Sequence, residues 1–341
     1  MQLSQTALEG RISAPGKVVI AGEYAVLEGH VAIVAAVDAR AAIRWSRDID
    51  GSRVTPDGSP QNSTLPPEVV LARRVAEASL GVIPGLTLTL DTEALRNGDR
   101  KYGLGSSAAG AAAAVGAVMA AHGMDPSAHR EQVLLLAHDG HRSVAPQGSG
   151  VDVAAASLGG FLRFRRGEVS ARGAAFGADI AEATPIAWPS TLVPALVWTG
   201  TPARTSELVA KVHALRDRDP RTHRAAIDAI AAQAARFATA LAHADASEAI
   251  AALDAHGEAM AALGRAADAP IVTASLAAAA SLARELGGAA KPSGAGGGDI
   301  AIALLPNLAA RDALFARAPS LGLQPLDIAL GAEGVRIEAS S

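Results

Sequence analysis

The sequence contains no cysteine. That removes disulfides, thiolate metal sites and a thiol nucleophile, and it is compatible with a reducing compartment. Aromatic residues make up only 3% of the 341 residues, so the cores must be built from Ala, Val, Leu and Ile. Neither sign of charge dominates. Lys and Arg total 30 against 34 Asp and Glu, a formal net charge of -4, which gives no electrostatic footing for a nucleic-acid partner. Long apolar runs are missing too. The longest uncharged one, Ala108–Ala121, is mostly Ala and Gly, and it falls short of the ~20 residues a membrane span needs. The opening Met1-Gln-Leu-Ser-Gln has neither the basic n-region nor the apolar h-region of a signal peptide. The expectation is a soluble cytoplasmic protein with neither a membrane nor a nucleic acid as partner.

What is present suits a folded chain. Half of the residues are hydrophobic and 19% are charged, which excludes intrinsic disorder. At ~100–200 residues per domain the length gives two domains or one large one. Residues 12–45 read as strands, with a turn at Glu28-Gly29, and Leu86-Thr-Leu-Thr-Leu alternates as a half-buried strand does. Residues 50–67 read as an exposed loop, and Val69–Leu80 as a helix. Ser106–Ala121, with small residues on every face, predicts a buried helix, and Arg130–His141 a second one. Strands follow at 160–166 and 191–199. Long Ala-rich amphipathic stretches then occupy about 204–218, 221–243, 246–264 and 271–287, before a strand at 300–305, a helix at 308–318 and two closing strands within 323–338. This is an α+β pattern in both halves rather than a βαβ repeat. The boundary falls near Pro185 and Pro189, which gives domains of 1–180 and 181–341.

Three glycine-rich segments, far apart, carry the chemistry. In Lys101-Tyr-Gly-Leu-Gly-Ser-Ser-Ala-Ala, Gly103 and Gly105 allow a tight turn into a helix. The N–H groups of Ser106, Ser107 and Ala108 then stand at a helix N-terminus, where the dipole favours a phosphate. Leu104 lies between the two glycines, and Lys101 offers a cation. A Ser here either caps the helix or reaches a Mg²⁺ on the phosphates. The second segment, Lys291-Pro-Ser-Gly-Ala-Gly-Gly-Gly-Asp, has four glycines in five residues directly before a strand-like run, which suits an ordered loop against a ligand or another loop. The third, Ala14-Pro-Gly-Lys-Val-Val-Ile-Ala-Gly-Glu-Tyr, sets Lys17 among apolar neighbours. There it is either a snorkelling surface lysine or a functional one. Finally, Asp152 in Gly148-Ser-Gly-Val-Asp-Val is the only acid between Asp139 and Glu168. It reads either as a helix N-cap or as a catalytic carboxylate beside Lys17. His138 and His141, three apart on one helix, lack the third ligand of a metal site and read as surface or pocket-lining residues.

Taken together, Pro15-Gly-Lys…Gly22-Glu-Tyr, Gly103-Leu-Gly-Ser-Ser-Ala-Ala and Lys291-Pro-Ser-Gly-Ala-Gly-Gly-Gly-Asp resemble the three motifs of the GHMP small-molecule kinases, in that family's order. Ala14-Pro-Gly-Lys-Val, Gly148-Ser-Gly-Val-Asp-Val and Trp198-Thr-Gly-Thr-Pro-Ala-Arg are most similar to the branch that phosphorylates 5-phosphomevalonate. The rival branch phosphorylates mevalonate on its alcohol, and its pattern places a Mg²⁺-binding Glu eleven residues before the catalytic Asp. Position 141 is His here. The resemblance implies a two-domain α+β fold with the active site in the cleft between a mixed N-terminal domain and a helix-rich C-terminal one. It implies ATP and Mg²⁺ as cofactors, a small-molecule partner, and a monomer or homodimer. Lys17 and Asp152 are carried over as catalytic. The nucleotide falls to Lys101, Gly103, Leu104, Gly105, Ser106, Ser107 and Ala108, with Ser107 on the metal. The acceptor falls to Lys17, Glu23, Tyr24, Ser149, Gly150, Ser293, Gly294, Ala295 and Gly296. Another GHMP small-molecule kinase and a non-catalytic ligand-binding homologue are the remaining alternatives, and the presence of both Lys17 and Asp152 argues against the second.

Overall fold

The computed structural model describes residues 8–48, 65–167 and 180–339. The chain runs β1 (Glu9–Ala21), β2 (Val31–Arg47), α1 (Pro67–Leu80), β3 (Leu86–Asp91), β4 (Arg96–Asn97), β5 (Arg100–Lys101), α2 (Ser106–Ala121), α3 (Arg130–Arg142), α4 (Val151–Leu158), β6 (Phe161–Arg166), β7 (Ile180–Pro185), β8 (Val193–Trp198), α5 (Thr205–Arg218), α6 (Pro220–Ala242), α7 (Ala246–Ala266), α8 (Ala274–Glu285), β9 (Ala289–Pro292), β10 (Ile300–Leu305), α9 (Leu308–Arg317), β11 (Gln324–Leu326) and β12 (Arg336–Glu338). The α+β class expected from the sequence is what the chain adopts. The loop expected at 50–67 lies mostly outside the described residues, and α1 begins at its end.

Two antiparallel sheets organise the molecule. The first has the order β12-β1-β2-β6-β7, with β3 also on β2; the second is β11-β8-β10-β9. The first sheet thus draws strands from both sides of residue 180. The two closing strands expected within 323–338 are present but part company: β11 joins the second sheet and β12 returns to β1, with Ile12 opposite Ile337.

With so few large side chains, packing depends on close backbone approach. The Ala- and Gly-rich α2 is buried on nearly every face. A Cβ on Gly140 of α3 would come within 2.4 Å of the Ala72 backbone, so α1 and α3 cross at a distance only glycine permits. One core joins both sheets, since Ile12, Ile43 and Phe164 share it with Leu196, Ile302 and Phe237. Smaller clusters lie under α8 and α9, and between Tyr24 and helices α5 to α7. The stretch expected as a helix over 271–287 starts later, at Ala274, because the Thr273 hydroxyl accepts the Leu276 N–H and fixes the first turn there. The N-cap reading of Asp152 implies a helix at this place, and α4 is that helix. Its N-cap is Gly150, at φ +82°, and Asp152 sits inside the first turn rather than capping it. Among the described residues no single helix is long and apolar enough to cross a membrane.

Candidate active site

Local backbone irregularity aims Lys17 at the phosphate loop. The β1–β2 register shifts between Pro15 and Lys17, a bulge that bends the strand and redirects the side chain. Gly16 is required there, because a Cβ would stand 2.7 Å from the Leu104 carbonyl oxygen. The Lys17 N–H donates to that oxygen at 2.7 Å, and its Nζ donates to the Gly103 carbonyl at 3.3 Å. Gly103 and Gly105 have φ of +84° and +79°, in the region glycine enters freely. Gly105 is the N-cap of α2 and supplies no side-chain acceptor, so Ser106 and Ser107 do not cap the helix but lie inside its first turn. The terminal N–H groups remain available for an anion.

Asp152 faces the same loop from α4. A Cβ on Gly105 would lie 3.1 Å from Lys17 Cγ and 3.7 Å from Asp152 Cβ, so the two side chains flank that residue. Burial is the strongest single influence on Asp152 and opposes its charge. His141, Lys17 and the Val153 N–H, which donates to its Oδ1 at 3.0 Å, together outweigh it and hold the carboxyl below its ordinary value. Asp152 is therefore an ionised, half-buried carboxylate. His141, on α3, is buried and places Nε2 3.3 Å from the Ser107 hydroxyl.

The third glycine-rich loop is tied to the first motif by buried polar contacts. Lys291 Nζ donates to Glu23 Oε1 and, at 2.6 Å, to the Pro292 carbonyl; the Gly294 N–H donates to Glu23 Oε1 at 3.3 Å. Lys291 and Glu23 are 1% and 4% exposed. Burial pushes the Glu23 carboxyl up and the Lys291 ammonium down, and each partner works against that push. His256 of α7 is fully buried, which drives its pKa well down and keeps it neutral. Its Nε2 accepts the Gly22 N–H at 2.8 Å, which puts the ring proton on Nδ1. The Tyr24 hydroxyl donates to the Ala295 carbonyl at 2.6 Å, and the Ser293 hydroxyl accepts the Val19 N–H at 2.9 Å.

These contacts form one wall of a cleft of about 1150 Å³. Lys17, Glu23, Tyr24, Ser149, Asp152, Gly294 and Ala295 line it, facing Arg204 and His213 of the α5 region. Some expected residues lie elsewhere. Lys101 is exposed on the β4–β5 hairpin, and neither it nor residues 103–108 line this cleft, which the loop adjoins through Lys17 and Asp152. Gly296 packs against Ile271, whose carbonyl oxygen would stand 2.2 Å from a Cβ, and so shapes the loop from behind. Gly150 underlies Asp152 as helix cap, and Ser293 is engaged with β1. A separate cavity of about 730 Å³ between α7 and α8 touches neither Lys17 nor Asp152.

Two residues at the site went unassigned in the sequence. His256 gave no signal, being one polar residue on an amphipathic helix. Asp299 had one, as the acid that ends the glycine run. Its Oδ1 accepts the Ala203 N–H at 3.1 Å, and its Oδ2 would lie 2.4 Å from a Cβ on Gly103. Burial raises its pKa, while Lys17 pulls it back. The oxygen donors available at the loop, namely the Ser107 hydroxyl and these carboxylates, suit a hard cation such as Mg²⁺. Among the described residues no group of three or more His, Asp or Glu could hold a metal ion, so a Mg²⁺ here would take most of its ligands from phosphates and water.

The family model for the GHMP kinases N terminal domain matches residues 69–160, and that for GHMP kinases C terminal matches residues 237–322. The chain is similar to a phosphomevalonate kinase of Streptomyces sp. (strain CL190), at 32% identity over 94% of this chain and 97% of that protein. It is also similar to a mevalonate kinase of Aeropyrum pernix, at 34% identity over 46% of this chain and 51% of that one. The fold matches Streptococcus pneumoniae phosphomevalonate kinase, solved with phosphomevalonate and AMPPNP, with a TM-score of 0.75, 19% identity, and 94% and 99% of the two chains covered.

Proposed function

Because the chain belongs to the GHMP kinases and is thus a phosphotransferase with relatives in the mevalonate pathway, we propose that it transfers the γ-phosphoryl group of ATP to the phosphate of (R)-5-phosphomevalonate, giving 5-diphosphomevalonate. The observation that carries this reading is the end-to-end similarity to the Streptomyces phosphomevalonate kinase; the Aeropyrum mevalonate kinase matches over about half its length. The site supports it through His141. At the position where an alcohol-phosphorylating relative would carry a metal-binding carboxylate, a histidine stands beside Ser107 and Asp152. That exchange removes a negative charge from a site that must hold two phosphorylated molecules.

The physical problem is bringing two anions together, so catalysis rests on positioning and charge neutralisation. The uncapped N–H groups of Ser106, Ser107 and Ala108 bind the donor phosphates. Mg²⁺, taken up with the nucleotide and touching Ser107, would neutralise those phosphates. The Gly103 carbonyl holds the Lys17 ammonium at the mouth of the loop, so its charge falls between donor and acceptor. Asp152, across Gly105 from Lys17, supplies the opposite charge beside it. A phosphate acceptor is already deprotonated near neutral pH and asks for no general base. The Ser149 and Gly294–Ala295 backbone contacts the acceptor, whose position the Tyr24–Ala295 hydrogen bond fixes.

The test is ADP release with ATP and Mg²⁺, offering 5-phosphomevalonate and mevalonate separately. Turnover with 5-phosphomevalonate alone is the expected result. Turnover with mevalonate alone would overturn the reading.

A further inference from the structure

Asp299 stands where a carboxylate is hard to explain. It lies against Gly103, at the start of the loop assigned above to the nucleotide phosphates. Its backbone is fixed on both sides. Its N–H donates to the Thr201 carbonyl at 2.7 Å, and its carbonyl accepts the Thr199 N–H at 2.8 Å. Its φ is +52°, a region Asn tolerates as well as Asp. The hydrogen bond to the Ala203 N–H uses one carboxylate oxygen as an acceptor, and an amide oxygen would serve equally. Anchoring therefore accounts for the shape of this residue and not for its charge.

The local charge count sharpens the point. Lys17 senses both Asp152 and Asp299, one on each side of the loop. One ammonium, the ~0.5 positive charge of a helix N-terminus and His141, which offsets Asp152, face two carboxylates; at Asp299 only the Ala203 N–H and Lys17 oppose the charge. Without a further cation, the second carboxylate repels a nucleotide. With a divalent cation on the phosphates, the same carboxylate attracts it. We propose that Asp299 is the carboxylate that couples nucleotide binding to Mg²⁺ at the phosphate loop, rejecting metal-free nucleotide and drawing in the magnesium complex. The proposal rests on the assignment of residues 103–108 to the nucleotide phosphates. It does not depend on which acceptor is phosphorylated.

The test is calorimetric titration of the full-length protein with ADP, once with a chelator and once with saturating Mg²⁺, so that no turnover enters the readout. Asp299→Asn keeps the Ala203 hydrogen bond and the backbone geometry while removing the charge. It should bind metal-free ADP more tightly than the wild type and Mg–ADP more weakly. The factor by which Mg²⁺ strengthens binding should fall by about tenfold, within the usual range of site–site coupling. Asp299→Ala, which also loses the anchor, should show the same fall in that factor on top of any general loss of affinity. An Asp299→Asn protein with the wild-type metal factor would overturn the proposal and leave Asp299 as an anchor alone. Failure of the wild type to bind ADP under either condition would overturn the phosphate-loop assignment and this proposal with it.

Discussion

Lys291→Met tests the buried frame of the site. Lys291 and Glu23 are almost fully removed from solvent, and their contact joins the first motif to the glycine-rich loop before β10. Met fills much of the same volume but donates nothing. Glu23 then keeps only the long Gly294 N–H bond at 3.3 Å, the Pro292 carbonyl loses a donor at 2.6 Å, and Glu23 Oε2 already has no hydrogen-bond partner. Leaving one member of a buried pair uncompensated costs about 3–5 kcal/mol. The double variant Glu23→Gln, Lys291→Met removes both charges and should recover at least half of that, since two neutral groups carry far less desolvation cost. Urea unfolding at neutral pH reads both numbers, and the double-mutant cycle isolates the pair. A second expectation follows from the Gly294 contact: in whichever variants fold, KM for the acceptor rises more than KM for ATP. A single variant within about 1 kcal/mol of wild type, or a double variant no better than the single, would refute the reasoning. Either would place the pair in a solvated setting.

Three further outcomes follow from the same geometry. Lys17→Met should lower turnover by about 10²–10³-fold, and by a larger factor than it weakens ADP binding read by calorimetry; an equal loss of both would mean that Lys17 serves binding alone. Gly105→Ala forces a Cβ into the left-handed region, at about 1–2 kcal/mol, and against Lys17 Cγ at 3.1 Å, so kcat should drop further than thermal stability, and an unchanged kcat would count against the convergence of loop and lysine. His141→Asn removes an influence that keeps the Asp152 carboxyl low. A carboxyl depressed in the folded state adds stability above its unfolded value and loses it as pH falls through the folded one, so raising that folded value should move the acid limb of both turnover and stability to higher pH; a pH–rate profile with the limb unmoved would contradict it.

Most helices were legible because their signals are local. Pro220 with Asp219 before it, and Asp245 before Ala246, are start signals in the sequence, and both caps form, the Asp oxygens accepting N–H groups of Thr222 and Glu248. The Ala-rich α2 announced its burial by having no polar face. Strand content was legible and strand partnership was not. Nothing between 324 and 338 says that β11 and β12 belong to different sheets, because pairing depends on which edge is open once the rest has folded. The start of α4 was not legible because its cap is a glycine, and Asp152, the candidate cap, lies inside the first turn instead.

The site divides along the same line. Residues that act through backbone shape are visible in sequence as glycine, so Gly103, Gly105 and the run before Asp299 could be found without coordinates. Residues that act through charge are visible only where a motif carries them, as Lys17, Asp152 and Glu23 are. Lys291 opens a motif without showing its partner and His256 belongs to none; only the fold brings them to Glu23. The same holds for Asp299, which reads as the end of a loop until Gly103 is brought against it. In a chain with so few aromatics, close approach at glycine sets the positions of the backbone, and buried charge sets what those positions can bind. Sequence exposes the first directly. The second follows once one asks which buried charge has no neutral residue that would do its work.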